Sequence, residues 1–129
     1  MPSSAPPTAL ALTSIDLEKL DVSGVTKMEG MFYGSDELTE LDLTGWDTSS
    51  VTDMESMFSS CENLKELDVS GFDTSKVTEM WAMFYQCSSL ETLDVSHFDI
   101  SRVTSMNSMF SGCSSLKELK GSFYIGKID

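Results

Sequence analysis

"VTDMESMFSSCENLKELDVS" (51–70) decides the fold, because nearly the same line returns at 77–96 as "VTEMWAMFYQCSSLETLDVS". A third copy is "VTSMNSMFSGCSSLKELKGS" (103–122), and a degenerate copy is "VTKMEGMFYGSDELTELDLT" (25–44). The period is 26 residues without insertion, as the series Leu41, Leu67, Leu93 and Leu119 shows. Chains with such a period stack each unit on its neighbours, because one unit alone cannot bury its apolar side.

Each unit combines the patterns of a strand and of a helix. In 63–70, Leu67 and Val69 alternate with outward residues, as in a short strand. In 77–87, Met80, Met83, Phe84 and Cys87 have the i, i+3, i+4, i+7 spacing of one face of a two-turn helix, and a threonine stands at the N-cap position. The "TDME" at 52–55 has the form of a capping box. The sequence therefore predicts an α/β repeat solenoid with one short parallel strand and one short helix per coil.

The repeat also predicts the division of the chain. Residues 1–14, rich in Ser, Ala, Pro and Thr, are predicted to be a linker or flexible arm, and 15–129 the solenoid. Within it we distinguish an irregular N-terminal coil (15–40), the repeats 41–66, 67–92 and 93–118, and a C-terminal cap (119–129). There is no basic segment with an apolar core like that of a secretory signal, and no apolar run approaches the ~20 residues of a membrane helix.

The methionines and cysteines fall in rows that repeat with the period. Met and Cys side chains suit Cu(I), but a metal site would not need the same line in every coil, so we interpret both methionine rows as core. Neighbouring cysteines would be close enough to form disulfides, yet the odd number of three favours buried free thiols. The sequence thus predicts no metal site and no cofactor. The rows are Met28, Met54, Met80, Met106; Met31, Met57, Met83, Met109; and Cys61, Cys87, Cys113.

The line V-T-x-M-x-x-M-F-x-x-C-x-x-L-x-x-L-D-V-S, seen in "MFSSCENLKELDVSGFDTSKVTEM" (57–80), carries a family resemblance. It is similar to the 26-residue leucine-rich repeat of BspA-like bacterial surface proteins, which is also common in mycoplasma lipoproteins, and the similarity covers about 15–122. The resemblance implies a leucine-rich-repeat solenoid, an extracellular or cell-surface location, and a role in adhesion or partner binding. It implies no catalytic residue.

The charge distribution suggests where a partner binds. With 21 acidic and 8 basic residues the net charge is −13, which disfavours nucleic acid as a partner. Acidic residues recur at the outward positions of the predicted strands, where like charges would repel. Solvation with counterions, a basic patch on a partner, or calcium between coils would each offset the repulsion, although no EF-hand loop is present. The partner-binding candidates on this face are Glu40, Asp42, Glu66, Asp68, Asp94 and Glu118.

Two aromatic residues break the repeat and form a second candidate patch. Trp81 stands where other repeats have Glu29, Glu55 and Asn107, and Tyr85 is four residues further on. Such a pair would anchor a protein or glycan partner, or else pack against the linker or a neighbouring chain. By contrast, Asp47, Asp73 and Asp99 follow an aromatic row of Trp46, Phe72, Phe98 and Tyr124, and we interpret them as caps of their own turns.

No catalytic pattern is visible. His97 is the single histidine, and the sequence has no G-x-S-x-G elbow and no P-loop. We therefore predict a non-enzymatic recognition or adhesion domain that binds a host or neighbouring-cell surface protein or glycan, without nucleic acid binding or membrane insertion. The alternative is a structural spacer or stalk with no ligand of its own.

Overall fold

The computed structural model describes Leu17 and residues 20–121. Four three-residue strands follow one another along the chain, β1 (Glu40–Asp42), β2 (Glu66–Asp68), β3 (Thr92–Asp94) and β4 (Glu118–Lys120). β1 pairs with β2 and β3 pairs with β4, both in parallel. Each residue of a strand lies opposite its equivalent in the next repeat, so the pairing register equals the sequence period.

The predicted fold class is wrong. We expected an α/β repeat solenoid of the leucine-rich-repeat type with a short helix in every coil. The part of the chain that the structure describes contains two small two-stranded parallel sheets and, apart from the single helical residue Leu17, no helix. The prediction of an α/β repeat solenoid is therefore overturned, because the described residues form short strands in two small sheets, with turns and no helix in any repeat.

A run of turns replaces the predicted helix. The Met57 N–H donates to the Met54 carbonyl oxygen at 3.3 Å, a three-residue step instead of the four-residue step of an α-helix. Between them Ser56 has φ of 56°, and a positive φ at the third position of a turn is typical of type II turns. The equivalent residues Gly30, Ala82 and Ser108 also have positive φ, which is incompatible with a right-handed helix.

Alternate N–H groups of this segment, those of Met54, Ser56, Phe58 and Ser60, bond to the next repeat. Phe58 N–H donates to the Met83 carbonyl at 2.9 Å, and Ser60 N–H donates to that of Tyr85 at 2.7 Å. An isolated two-turn helix would be marginal, and these bonds between repeats satisfy the groups that helical bonds would have used. The apolar side chains still face inward, because one turn closes between Met54 and Met57 and the next between Phe58 and Cys61, and these turn ends are buried.

The threonines expected to cap helices connect repeats instead. The N–H and Oγ1 of Thr52 both donate to the Thr26 carbonyl, at 2.7 and 3.2 Å. Thr78 makes the same pair of bonds to Thr52, at 2.9 and 3.2 Å. The predicted N-caps and capping boxes are therefore wrong, and these threonines form a ladder along the stack.

The predicted core rows are confirmed. Phe32, Phe58 and Phe84 are fully buried, and their rings stack nearly in parallel with centroids 5.4 and 5.6 Å apart. All eight methionines of the two rows are buried beside them. In the aromatic row, Trp46, Phe72 and Phe98 are buried as well, whereas Tyr124 lies outside the described residues.

The cysteines are free thiols, as predicted. Cys61 and Cys87 are fully buried, and Cys113 is half-buried. Each Sγ donates to a phenylalanine carbonyl oxygen of the preceding repeat, and for Cys87 and Phe58 the distance is 3.1 Å. The predicted arm (1–14) and most of the C-terminal cap lie outside the described residues, so those boundaries stay predictions.

Candidate functional site

The six carboxylates proposed from the sequence lie together on one surface. They are six of the eight exposed end residues of the four strands, and all six line a groove of about 1050 Å³. Glu91 also lines this groove, together with two cations, Lys65 and Lys120. We call it the acidic groove, defined by Glu40, Asp42, Glu66, Asp68, Glu91, Asp94 and Glu118.

The parallel register sets like charges opposite one another within the acidic groove. Glu40 pairs with Glu66, and Asp42 pairs with Asp68. At the other end the register brings Lys120 opposite Asp94. Like charges directly opposite in a sheet are destabilising, so the β1–β2 half of the groove carries the larger unbalanced negative charge.

The aspartates of the acidic groove also have a structural role, which was not predicted from the sequence. Asp42 Oδ1 accepts the N–H of Thr44 at 3.0 Å, and Asp94 Oδ1 accepts that of Ser96 at 3.0 Å. The N–H and hydroxyl of Thr44 lower the pKa of the Asp42 carboxyl, and the Ser96 hydroxyl and N–H lower that of Asp94. Asp68 accepts the Ser70 N–H at 2.9 Å in the same way. Strands β1, β2 and β3 therefore each end in a turn that their last aspartate closes.

The glutamates of the groove have no such task. In the described part of the chain, the side chains of Glu40, Glu66 and Glu118 make no hydrogen bond or ion pair. Glu91 differs, because its Oε1 lies 3.7 Å from Lys117 Nζ in an exposed ion pair. Glu40, Glu66 and Glu118 are thus the carboxylates of the groove that local structure does not explain.

The second aspartate row caps turns, as predicted. Asp47, Asp73 and Asp99 each accept the N–H of the serine two residues later, at 3.0, 3.0 and 2.9 Å. These hydrogen bonds lower the pKa of all three carboxyls. Their role in the turns is complete without a ligand.

Trp81 and Tyr85 line a second groove of about 540 Å³, which shares no lining residue with the acidic groove. The structure adds Tyr33, which is 60% exposed, while Trp81 and Tyr85 are 38% and 37% exposed. We call this the aromatic groove, defined by Tyr33, Trp81 and Tyr85. Tyr33 occupies the same repeat position as Tyr85, and that equivalence is the sequence signal for it.

The Trp81 side chain lies beside the Glu55 carboxylate of the preceding repeat. Burial raises the pKa of the Glu55 carboxyl, and the nearby Asp53 carboxylate raises it further. Although the predicted helix is absent, Trp81 and Tyr85 still line the same groove.

Across Leu17 and 20–121, no three His, Cys, Asp or Glu side chains are grouped so as to hold a metal ion. His97 Nε2 donates to the Val69 carbonyl oxygen at 2.9 Å, and its ring meets Phe98 edge-on. No helix of this part of the chain is long and apolar enough to cross a membrane.

A comparison with known protein families identifies the family of this chain. The chain belongs to the family described as "Mycoplasma protein of unknown function, DUF285", whose model matches residues 7–123. A comparison with curated proteins finds no match. A comparison with solved structures finds no match either.

Proposed function

We propose that this DUF285 domain is a non-catalytic recognition module of a bacterial surface or secreted protein, and that its acidic groove binds a basic segment of a partner protein. The observation that carries the proposal is the in-register pairing of Glu40 with Glu66. Holding like charges opposite one another opposes folding, and no hydrogen bond of the described structure compensates these two side chains. A row of Lys or Arg side chains from a partner would remove that repulsion.

The narrower identification, a BspA-like repeat at the cell surface, belongs to the same proposal. Its support is the line V-T-x-M-x-x-M-F-x-x-C in three repeats. The size of the groove, about 1050 Å³, suits a peptide segment better than a single small ligand. The net charge of −13 would speed association with a basic partner through long-range attraction.

A spacer without a ligand is the second candidate. One observation favours it, namely that Asp42, Asp68 and Asp94 each close the turn that follows their own strand. These three residues would recur in every repeat for structural reasons alone. Substitution of the glutamates of the acidic groove therefore distinguishes the two functions, whereas substitution of the aspartates does not.

The test measures binding of the domain to a lysine-rich peptide and to a panel of basic extracellular proteins. We expect the double variant Glu40→Gln/Glu66→Gln to weaken binding by about tenfold, because it removes two of the unpaired charges and leaves every turn cap in place. We also expect weaker binding when the salt is raised from about 0.05 M to about 0.5 M, because screening shortens the range of the attraction.

The matched control is Glu37→Gln, which neutralises an exposed glutamate outside the acidic groove. It should bind as the unaltered domain does. Equal binding by the double variant and the unaltered domain would refute the acidic groove as the site. Failure of every basic probe to bind, with all proteins folded, would favour the spacer.

A further inference from the structure

β4 differs from the other strands in the charges at its two ends. β1 and β2 read Glu-Leu-Asp, whereas β4 reads Glu-Leu-Lys. An antiparallel partner with the sequence of β4 would set Glu118 opposite Lys120 twice and Leu119 opposite Leu119 between them. The same arrangement of β1 or β2 would set Glu opposite Asp, which like-charge repulsion disfavours. Among the described strands, β4 is therefore the one whose charges are complementary to a second copy of itself.

β4 is an edge strand of the described structure, since its sheet contains only β3 and β4. The Lys120 carbonyl oxygen accepts the N–H of Val95, and the Glu118 N–H donates to the carbonyl oxygen of Glu91, so both residues direct these groups toward β3. Because backbone polar groups alternate in direction along a strand, the N–H and carbonyl of Leu119 point to the outer edge. Two such leucines opposite one another in an antiparallel pair exchange both hydrogen bonds.

The apolar side chains at this end of the stack are covered less completely than those inside it. Cys113, Leu116 and Leu119 are half-buried, whereas their equivalents one repeat earlier are at most 3% exposed. Burial of this remaining apolar surface would favour association with another chain. An edge strand beside such a surface is a place where a further strand can add.

We propose that two copies of this chain form a two-fold symmetric dimer in which their β4 strands pair in antiparallel, with Leu119 on the symmetry axis. Each Glu118 carboxylate then lies opposite the partner subunit's Lys120, and both side chains point to the same face of the joined sheet. Within the described part of one chain, neither of these two charges forms an ion pair. Because the same surface is used by both copies, the assembly closes at two chains.

The dimer would extend the proposed function, because it joins two acidic grooves end to end, but it does not depend on that function. Glu40→Gln/Glu66→Gln should weaken peptide binding and leave dimerisation unchanged, since both residues lie outside β3 and β4. Lys120→Glu should dissociate the dimer without weakening the binding of a basic peptide, since it makes the groove more acidic. Failure of one proposal therefore leaves the other standing.

The test measures the molar mass of the 129-residue chain by analytical ultracentrifugation, over about a hundredfold range of protein concentration. The unaltered chain should become a dimer as the concentration rises. We expect Glu118→Lys and Lys120→Glu each to weaken dimerisation by about tenfold or more, because each sets like charges opposite one another.

The decisive measurement mixes these two variants in equal amounts. The β4 strand of one then carries two cations and that of the other two carboxylates, so we expect a heterodimer to form from chains that are monomeric when separate. The double reversal Glu118→Lys/Lys120→Glu restores opposite charges within one strand, and it should dimerise as the unaltered chain does. Should a single variant unfold, the double reversal decides the test.

The matched control is Lys76→Glu, which makes the same change of charge at an exposed residue outside β4. It should dimerise as the unaltered chain does. An unaltered chain that stays monomeric overturns the proposal, and so does failure of the two folded variants to associate when mixed. Stronger association of Glu118→Lys alone also overturns it, because that result would indicate parallel pairing of β4 with β1 of another copy, where Glu40 lies opposite position 118.

Discussion

The thiol of Cys87 donates to the carbonyl oxygen of Phe58 at 3.1 Å, joining two residues of successive repeats. Cys61 and Cys113 make the same bond to Phe32 and Phe84, at 3.0 and 3.1 Å. The cysteine row is therefore a polar ladder inside an apolar core, and not merely a row of small hydrophobic side chains.

The buried thiols predict loss of stability at alkaline pH. Burial raises the pKa of Cys61 from 9.0 to about 12, and it raises the pKa of Cys87 as well. Above pH about 9 the unfolded chain releases these protons while the folded chain keeps them, so the free energy of unfolding falls as the pH rises. Urea denaturation between pH 7 and 11 should show this decline.

The control for the thiols is Cys61→Ser/Cys87→Ser, which keeps a donor for each carbonyl but does not titrate in that range. Its free energy of unfolding should depend less on pH above about 9 than that of the unaltered protein. An undiminished decline in the double variant would assign the effect to other groups. In the folded protein, a thiol reagent should modify the half-buried Cys113 before Cys61.

The turn-capping aspartates predict loss of stability at acidic pH. Their pKa values lie below 3.8 in the folded state, because each carboxylate accepts hydrogen bonds from the residue two positions later. Stability from a lowered pKa is fully present above the unfolded pKa and is lost as pH falls through the folded pKa. Denaturation midpoints should therefore fall steeply below pH about 4.

Two substitutions of Asp73 distinguish the effect of its negative charge from the effect of its oxygen as a hydrogen-bond acceptor. Asp73→Asn keeps an oxygen that can accept the Ser75 N–H, whereas Asp73→Ala removes it. At pH 7 we expect Asp73→Ala to lower the denaturation midpoint more than Asp73→Asn does. As the pH falls well below 3.8, the unaltered protein should approach Asp73→Asn, because a protonated carboxyl is a neutral acceptor like the amide, whereas Asp73→Ala should stay below both. Equal midpoints at pH 7 would contradict the capping role.

Gly71 is close to the backbone of the previous repeat. A Cβ at this position would collide with the Thr44 carbonyl oxygen, whereas a Cβ at the equivalent Gly45 meets nothing within 4 Å. We expect Gly71→Ala to lower the free energy of unfolding by about 1–3 kcal/mol, because backbone must move to make room. The matched Gly45→Ala should stay within about 0.5 kcal/mol. Equal effects in chemical denaturation would show that the backbone accommodates the methyl group.

Ser60 occupies a left-handed backbone position with φ of 62°, where the equivalent residues of other repeats include Gly34 and Gly112. A left-handed conformation costs a non-glycine residue about 1–2 kcal/mol, and a glycine at this position would remove that cost. The greater freedom of glycine in the unfolded chain offsets about 0.5–1 kcal/mol of the resulting stabilisation. We therefore expect Ser60→Gly to stabilise the protein by up to about 1 kcal/mol. The φ of Ser101 is not positive, so Ser101→Gly relieves no strain and should destabilise the protein instead. The comparison uses thermal and chemical denaturation.

Much of the core and of the candidate site could be predicted from sequence because it depends on the period alone. Leu41 had to face the position of Leu67 if the repeats stacked, and that same register brought Glu40 to Glu66. The burial of the methionines and the free state of the cysteines were predicted from the same repeating pattern. The turn caps of Asp42, Asp68 and Asp94 did not follow, because an outward strand residue and a turn-closing residue have the same sequence pattern.

The helix was predicted wrongly for a physical reason. Met54, Met57, Phe58 and Cys61 have a spacing that fits a two-turn helix and a run of turns equally well. The two structures differ in the acceptors of the Ser56 and Ser60 N–H groups. Those acceptors are the backbone carbonyl oxygens of Trp81 and Tyr85, in another repeat. Spacing within one segment carries no information about such partners.

The sequence by itself therefore determined the repeat, its register, the inward rows and the acidic surface, because each depends only on which residues recur every 26 positions. The tertiary structure alone decided between helix and turns, closed strands β1, β2 and β3 with an aspartate, and brought Tyr33 into one groove with Trp81 and Tyr85. Those outcomes depend on hydrogen bonds and contacts between repeats. They arise only when the repeats are stacked, since no single repeat contains both partners.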